Sequence, residues 1–133
     1  MREVTSDKVV TSAGASNIAV AGAVTVYTQS FVLGDGDFFS VSYTAVSAAA
    51  SVDLKIELEQ SFQPPTTDGS ADTYYKVPES MSDIETSFTT ESTVRHKALA
   101  PIAMKYGRFK ITGAAGNGAD TILNMWLSKQ WVN

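Results

Sequence analysis

The chain has 133 residues, enough for one domain that buries roughly two-thirds of its unfolded surface without disulfides. It has no cysteine and one histidine, His96, which excludes a disulfide framework, thiol catalysis, Cys-based zinc or iron–sulfur sites and multi-His metal sites within one chain. Ten basic residues against fourteen acidic ones give a net charge of −4, which argues against a general affinity for nucleic acid.

From the N-terminus, Met1-Arg2-Glu3-Val4 is followed closely by Asp7 and Lys8. No uninterrupted apolar stretch of the signal-peptide kind follows, because Thr11, Ser12, Ser16 and Asn17 break it. The best apolar run, Ile18 to Val26, is mostly Ala, Val and Gly and falls short of the roughly 20 residues that span a bilayer. The expectation is a chain made in the cytoplasm and not exported by the general secretion route, with no membrane partner; an extracellular fate then requires another route, such as assembly into a particle. Residues 1–23 are rich in small residues and read as an extended N-terminal arm or an edge strand, either without a fixed partner or ordered against a neighbouring subunit.

From Val24 the strand signals begin, and residues 24–133 read as a single β-sandwich domain. Val24–Thr28 and Ser30–Leu33 are β-branched and aromatic and run into the turn signal Gly34-Asp35-Gly36-Asp37. Phe39–Ala45 alternates apolar with hydroxyl residues. In Ser51–Ser61, Val52, Leu54, Ile56 and Leu58 fall on one face of a strand, and Asp53, Lys55, Glu57 and Glu59 on the other. Gln63–Ser70 is a Pro/Gly loop, and Thr73–Val77 reads as a short strand stopped by Pro78. Glu79–Thr93 is polar and reads as a loop with a strand or one helical turn. Val94–Ala100 reads as a strand ended by Pro101. Met104–Thr112 is a strand, Gly113–Gly118 a loop, and Asp120–Ser128 a final strand with Leu123, Met125 and Leu127 on one face. Seven or eight short strands without an amphipathic helix predict an all-β fold, an antiparallel β-sandwich of jelly-roll-like kind.

No motif for catalysis, cofactor or metal binding emerges. His96 lies between Arg95 and Lys97 and reads as a surface histidine, since a base needs an orienting partner and a nucleophile in reach. Asp35 with Asp37, and Asp68 with Asp72, lack the EF-hand spacing and its closing Glu and read as turn residues. Glu57 and Glu59 sit about 7 Å apart, as any i, i+2 pair on a strand does, on what reads as a solvated face. Gly113–Gly118 has three glycines but no Lys-Ser/Thr after them. The residues that read as interface candidates are Val9, Val10, Ile18 and Val20 in the arm, Tyr74, Tyr75 and Trp126 as exposed aromatics, and Trp131 near the C-terminus, which either contacts another subunit or caps the core.

The order of these features resembles a known class. The alternating strand Ser51–Ser61, the Pro/Thr/Asp/Gly loop, Tyr74-Tyr75-Lys76-Val77, then Tyr106-Gly107-Arg108-Phe109-Lys110-Ile111-Thr112-Gly113 and Asn117-Gly118-Ala119-Asp120-Thr121 are similar to small all-β virion proteins of tailed bacteriophages, of the head-decoration or auxiliary type. The pattern covers roughly Phe38 to Gln130. The resemblance implies a non-enzymatic virion protein that binds the major capsid protein and copies of itself, often as a trimer, with no cofactor and no catalytic residue to carry over. The same hairpin pattern occurs in jelly-roll binding modules, so a carbohydrate- or receptor-binding module of a phage tail or baseplate is the alternative.

Overall fold

Period-two alternation decides which side of each long strand meets the core. A computed structural model of the chain describes residues 2–33, 38–47, 53–66, 69–78, 94–99, 103–117 and 121–132, with Arg2 and Val132 described as backbone only. These residues form nine strands: β1 (Arg2–Lys8), β2 (Ile18–Ala19), β3 (Thr25–Tyr27), β4 (Phe31–Val32), β5 (Phe38–Val46), β6 (Leu54–Ser61), β7 (Arg95–Leu99), β8 (Tyr106–Gly113) and β9 (Ile122–Val132). No helix occurs among the described residues. The Gly34–Asp37 turn and the polar stretch Glu79–Thr93 lie outside them.

Two antiparallel sheets make a β-sandwich. The first has the order β1-β9-β5-β7, with β2 also against β9. β1 and β2 lie end to end along one side of β9, and β5 runs along the other. In the second sheet β3 and β4 lie end to end along one side of β8, with β6 on the other. An isolated bridge from Gln60 to Lys76 extends that sheet by one contact. From β4 onward each strand joins the sheet its predecessor left, so the chain crosses between the layers at every connection.

The inward residues interdigitate between the sheets. β5 contributes Phe39, Val41, Tyr43 and Ala45, and β9 contributes Leu123, Met125 and Leu127. Facing them are Leu54, Ile56 and Leu58 of β6 and Phe109 and Ile111 of β8. Each such side chain, taken out of water, stabilises the fold by about 1.5–3 kcal/mol.

The structure decides three of the sequence expectations. Of the two readings of residues 1–23, an extended arm or an edge strand, the structure has the second: β1 is an edge strand paired with β9 over seven residues, and Val9, Ile18 and Val20 are buried in the common core. Their apolar side chains have a partner in β9, so the small-residue segment does not stand off from the domain. Thr73–Val77 is not a continuous strand. The Asp72 carboxylate accepts hydrogen bonds from the Thr66 amide (2.8 Å), the Thr66 hydroxyl (2.9 Å) and the Tyr74 amide (3.0 Å). That clamp bends the chain at Thr73 and Tyr74 and leaves Lys76 alone to reach β6.

Gly113 was expected in a loop and instead ends β8. Its amide donates to the Val24 carbonyl (2.9 Å), and its carbonyl accepts from the Ala23 amide (3.1 Å). A Cβ there would stand 2.5 Å from the Ala21 carbonyl oxygen, a backbone atom that has no room to move aside. Gly113→Ala is expected to cost about 1–3 kcal/mol in chemical denaturation. The exposed Gly116, where a Cβ meets nothing, supplies the near-neutral control Gly116→Ala.

Candidate functional site

The two outer faces of the sandwich differ, and the difference starts from the side chains that the strand alternation turns outward. On the smaller sheet the outward residues of β8 and β6 are Arg108 opposite Glu59 and Lys110 opposite Glu57. Arg108 is only 1% exposed although it points away from the core. Its Nε donates to Glu59 Oε1 at 2.9 Å. The guanidinium lies between two rings, 4.2 Å from the centroid of Tyr27 and 4.9 Å from that of Tyr75. Nη1 and Nη2 have no hydrogen-bond partner among the described residues and rest on these ring faces. Tyr75 reaches across β8 to share a 2.6 Å hydrogen bond with Ser30. The 72–76 segment therefore closes this part of the smaller sheet over a buried ion pair. Burial pushes the Tyr75 phenol above its ordinary pKa, with the Ser30 hydrogen bond opposing.

The outer face of the larger sheet is open and nearly free of charge. Its registers set side chains in rows across the strands. One row runs Phe38, Gln130, Val4, with Phe38 61% and Val4 58% exposed. The next runs Ala98, Ser40, Ser128, Ser6, and the third runs His96, Ser42, Trp126, Lys8. Beyond them lie Thr44 beside Asn124 and Val46 beside Ile122. Lys8 and His96 are the only ionisable side chains in these rows.

Several polar groups of this face are tied sideways to one another, while Thr44 Oγ1 has no partner among the described residues. Ser6 and Ser128 hydroxyls share a 2.7 Å hydrogen bond. Ser42 Oγ lies 2.7 Å from His96 Nδ1. Lys8 Nζ donates to Asn124 Oδ1 at 2.5 Å and sits 4.2 Å over the Trp126 ring. Desolvation in that position lowers the Lys8 pKa. What remains is a surface of hydroxyls with Phe38 and Val4 at one end and Val46 beside Ile122 at the other.

The expected interface residues separate into two groups. Val9, Ile18, Val20 and Tyr75 are buried within their own chain and present no surface to a neighbour. Val10 is half-buried, and its carbonyl accepts from the Gln29 amide (2.9 Å). Tyr74 is exposed, edge-on to Phe62 at 5.6 Å. Trp126 is half-buried on the open face, whereas Trp131 belongs to β9, faces the other way and lies opposite Glu3. Phe38 and Val4 escaped sequence reasoning, since only the pairing of β1 and β5 across β9 makes one row of them. The Ser42–His96 pair escaped it for the same reason.

The chemistry weighed for other residues finds little geometric support. Ser42 is the one hydrogen-bond partner of His96 among the described residues, so no carboxylate there orients the ring as a nucleophile–base pair requires. Glu57 lies 3.8 Å from Lys55, and Glu59 is held by Arg108, so the two carboxylates have separate partners. Asp72 is occupied by its clamp, and Asp35, Asp37 and Asp68 lie outside the described residues. Among the described residues no group of three metal-ligating side chains gathers, and no helix is long and apolar enough to cross a membrane.

Fold and site together define an all-β two-sheet protein with one closed and one open outer face. Compared with protein-family models, with curated proteins and with solved structures, the chain matches none.

Burial raises the Glu59 pKa above its ordinary value; the Arg108 hydrogen bond and charge, with Lys110, oppose this, and Glu57 adds to it. A folded pKa above the unfolded one stabilises fully below about pH 4.5, and that contribution is lost as pH rises through the folded value. The stability difference between wild type and Glu59→Gln should therefore shift against wild type as pH rises above about 4.5, then level off. Urea midpoints at a series of pH values check the slope, whatever constant offset the lost ion pair adds.

Proposed function

We propose that the chain is a non-enzymatic structural protein of a viral particle, of the bacteriophage decoration or capsid-stabilising kind, held to the major capsid protein and to copies of itself by many modest contacts. The observation that carries this reading is the open face of the larger sheet. Ser6 is already bonded to Ser128, Ser42 to His96 and Lys8 to Asn124, so covering these groups strands few polar atoms. Interfaces are depleted of charge at their centres, and this face holds only Lys8 and His96 among the side chains of its rows. On a symmetric lattice such contacts add through multivalency, so each one need not be tight. The reading places the protein in the virion and requires neither nucleic acid nor membrane.

Strand order supports the same reading. The order β1-β9-β5-β7, facing β3 and β4 beside β8, then β6, then the Lys76 bridge, follows the interleaving of a jelly roll. Jelly rolls recur in viral capsid domains and in lectins. The lectin branch is the second reading, and one feature favours it. A depression of about 170 Å³ is rimmed by the exposed rings of Phe62 and Tyr74 and lined by Gln60, Ser61, Lys76, Pro78 and Met104. An exposed ring edge beside amide, hydroxyl and ammonium groups suits a sugar. Glycan-array binding abolished by Tyr74→Ala would establish this second reading over the first.

For the first reading, co-sedimentation with capsids lacking the protein is the direct test. Ser40→Lys sets a charge in the middle of the open face. It is expected to weaken capsid binding at least ~10-fold, by desolvating an unpaired ammonium. Stability should stay within about 0.5 kcal/mol, as for other surface changes. A wild-type chain that ignores capsids, or a Ser40→Lys chain that binds them as well as wild type does, overturns the proposed surface.

A further inference from the structure

Every open sheet has edges, and an edge strand offers backbone groups to whatever pairs with them. Three of the four edges here are guarded. β7 carries Arg95, His96 and Lys97 in succession, and like charges oppose pairing with a copy of itself. β3 and β4 are three and two residues long, and Thr28 beside them bridges to Thr11. β6 is capped at one end by the Lys76 bridge.

β1 differs. It is seven residues long, contains no proline and mixes both signs of charge. The Val9 amide donates to the Met125 carbonyl at 2.9 Å, so the odd-numbered residues of this ladder bond to β9. Counting by two, Arg2, Val4, Ser6 and Lys8 turn their amides and carbonyls away from β9. One step further on, the Val10 carbonyl is taken by Gln29. From Arg2 to Lys8 these outward backbone groups have no partner among the described residues.

We infer that β1 pairs antiparallel with β1 of a second copy, joining the two larger sheets into one continuous sheet. A two-fold axis normal to the sheet maps outer face onto outer face, so each residue must oppose one of the same parity. Three central registers remain. Centring on Thr5 sets Arg2 opposite Lys8 and Glu3 opposite Asp7, which is like charge on like at four places. Centring on Ser6 sets Val4 opposite Lys8 and Thr5 opposite Asp7. Centring on Val4 sets Val4 on Val4, Arg2 opposite Ser6 and Glu3 opposite Thr5, with no like charges opposed. It also extends the apolar row, so that Phe38, Gln130 and Val4 of one copy continue into Val4, Gln130 and Phe38 of the other. The most exposed apolar side chains of this face then lie in one line across the junction. The pairing names one of the self-contacts that the proposed assembly role requires, and it rests on that reading only for its setting.

Sedimentation equilibrium of the full chain up to roughly 100 µM tests the pairing. The expected result is a dimer that both Val4→Pro and Ser6→Pro shift to monomer by at least ~10-fold in dissociation constant. Each proline removes an outward amide and leaves the bonds to β9 in place. Circular dichroism confirms that the variants fold. Register is read from single cysteines in this cysteine-free chain. Opposed Val4 Cα atoms would stand about 5.5 Å apart, within disulfide reach, so Val4→Cys should cross-link on mild oxidation. Two Ser6 Cα atoms would be about 14 Å apart, so Ser6→Cys should not. A monomer, a trimer, a dimer indifferent to both prolines, or cross-linking by Ser6→Cys instead of Val4→Cys overturns the inference. A chain that binds capsids yet sediments as a monomer overturns the pairing and leaves the assembly role standing. A dimer that the prolines abolish but that ignores capsids supports the pairing and counts against the role alone.

Discussion

A guanidinium that points away from the core and is still buried must be covered, and the cover on Arg108 shapes half of this molecule. An arginine stays charged at any pH the fold survives, so it cannot escape burial by losing a proton. It needs a counter-ion and a lining. Glu59 supplies the first at 2.9 Å, directly across the ladder between β6 and β8. Tyr27 and Tyr75 supply the second, one from β3 and one from the segment that follows the Asp72 clamp. The clamp, the Lys76 bridge and the Tyr75–Ser30 hydrogen bond all hold that segment over Arg108. Removing one partner of such a pair costs about 3–5 kcal/mol, because the other is left charged in a poor solvent.

With the smaller sheet closed in this way, its remaining charges lie on the same side. Lys55, Glu57 and Lys110 share the outward face of β6 and β8 with the ion pair, and water has to reach them. The larger sheet is arranged the opposite way. Arg95 and Lys97 lie on β7, Lys129 of β9 donates to the Val32 carbonyl, and Lys8 is folded down onto a ring and an amide. The face between them is left to hydroxyls, amides, a tryptophan and the exposed apolar residues Val4, Phe38 and Val46. The asymmetry is electrostatic before it is geometric.

How much of this the sequence discloses depends on the range of the interaction. Alternation is local, so β5, β6 and β9 were legible, with Leu54, Ile56, Leu58, Leu123, Met125 and Leu127 on the faces the structure buries. Glu59 stood in that alternation as a solvated residue; nothing nearby reveals that Arg108, 49 positions on, lies opposite it. The N-terminal segment was legible only as an arm or an edge strand, for a related reason. Val9, Ile18 and Val20 are spaced too widely among small residues to form a local pattern, and their partners lie more than a hundred positions away. Thr73–Val77 has strand-like residues, but one carboxylate, Asp72, reshapes its backbone. The open face was legible only as separate half-strands. Its rows exist because β1 and β5 flank β9 in register, and register is a property of the fold.

The scarcity of charge on the outer face of the larger sheet thus has a physical consequence. Desolvating an ammonium or a carboxylate costs several kcal/mol unless it is paired, whereas a hydroxyl already bonded to its neighbour loses little when water leaves. Covering the smaller sheet would desolvate the Lys55–Glu57 pair, 3.8 Å apart, together with Lys110. Covering the larger sheet desolvates fewer charges, and Ser6 already holds Ser128, Ser42 holds His96, and Lys8 rests on Trp126. The fold therefore gives any partner a preferred side before a single contact is optimised, and the unguarded edge at β1 borders that same side. Face and edge meet at Val4, which belongs to both the apolar row and the strand whose backbone is open. An association that begins by pairing the edge would lengthen the apolar row, and a longer row would widen the surface available to the next neighbour.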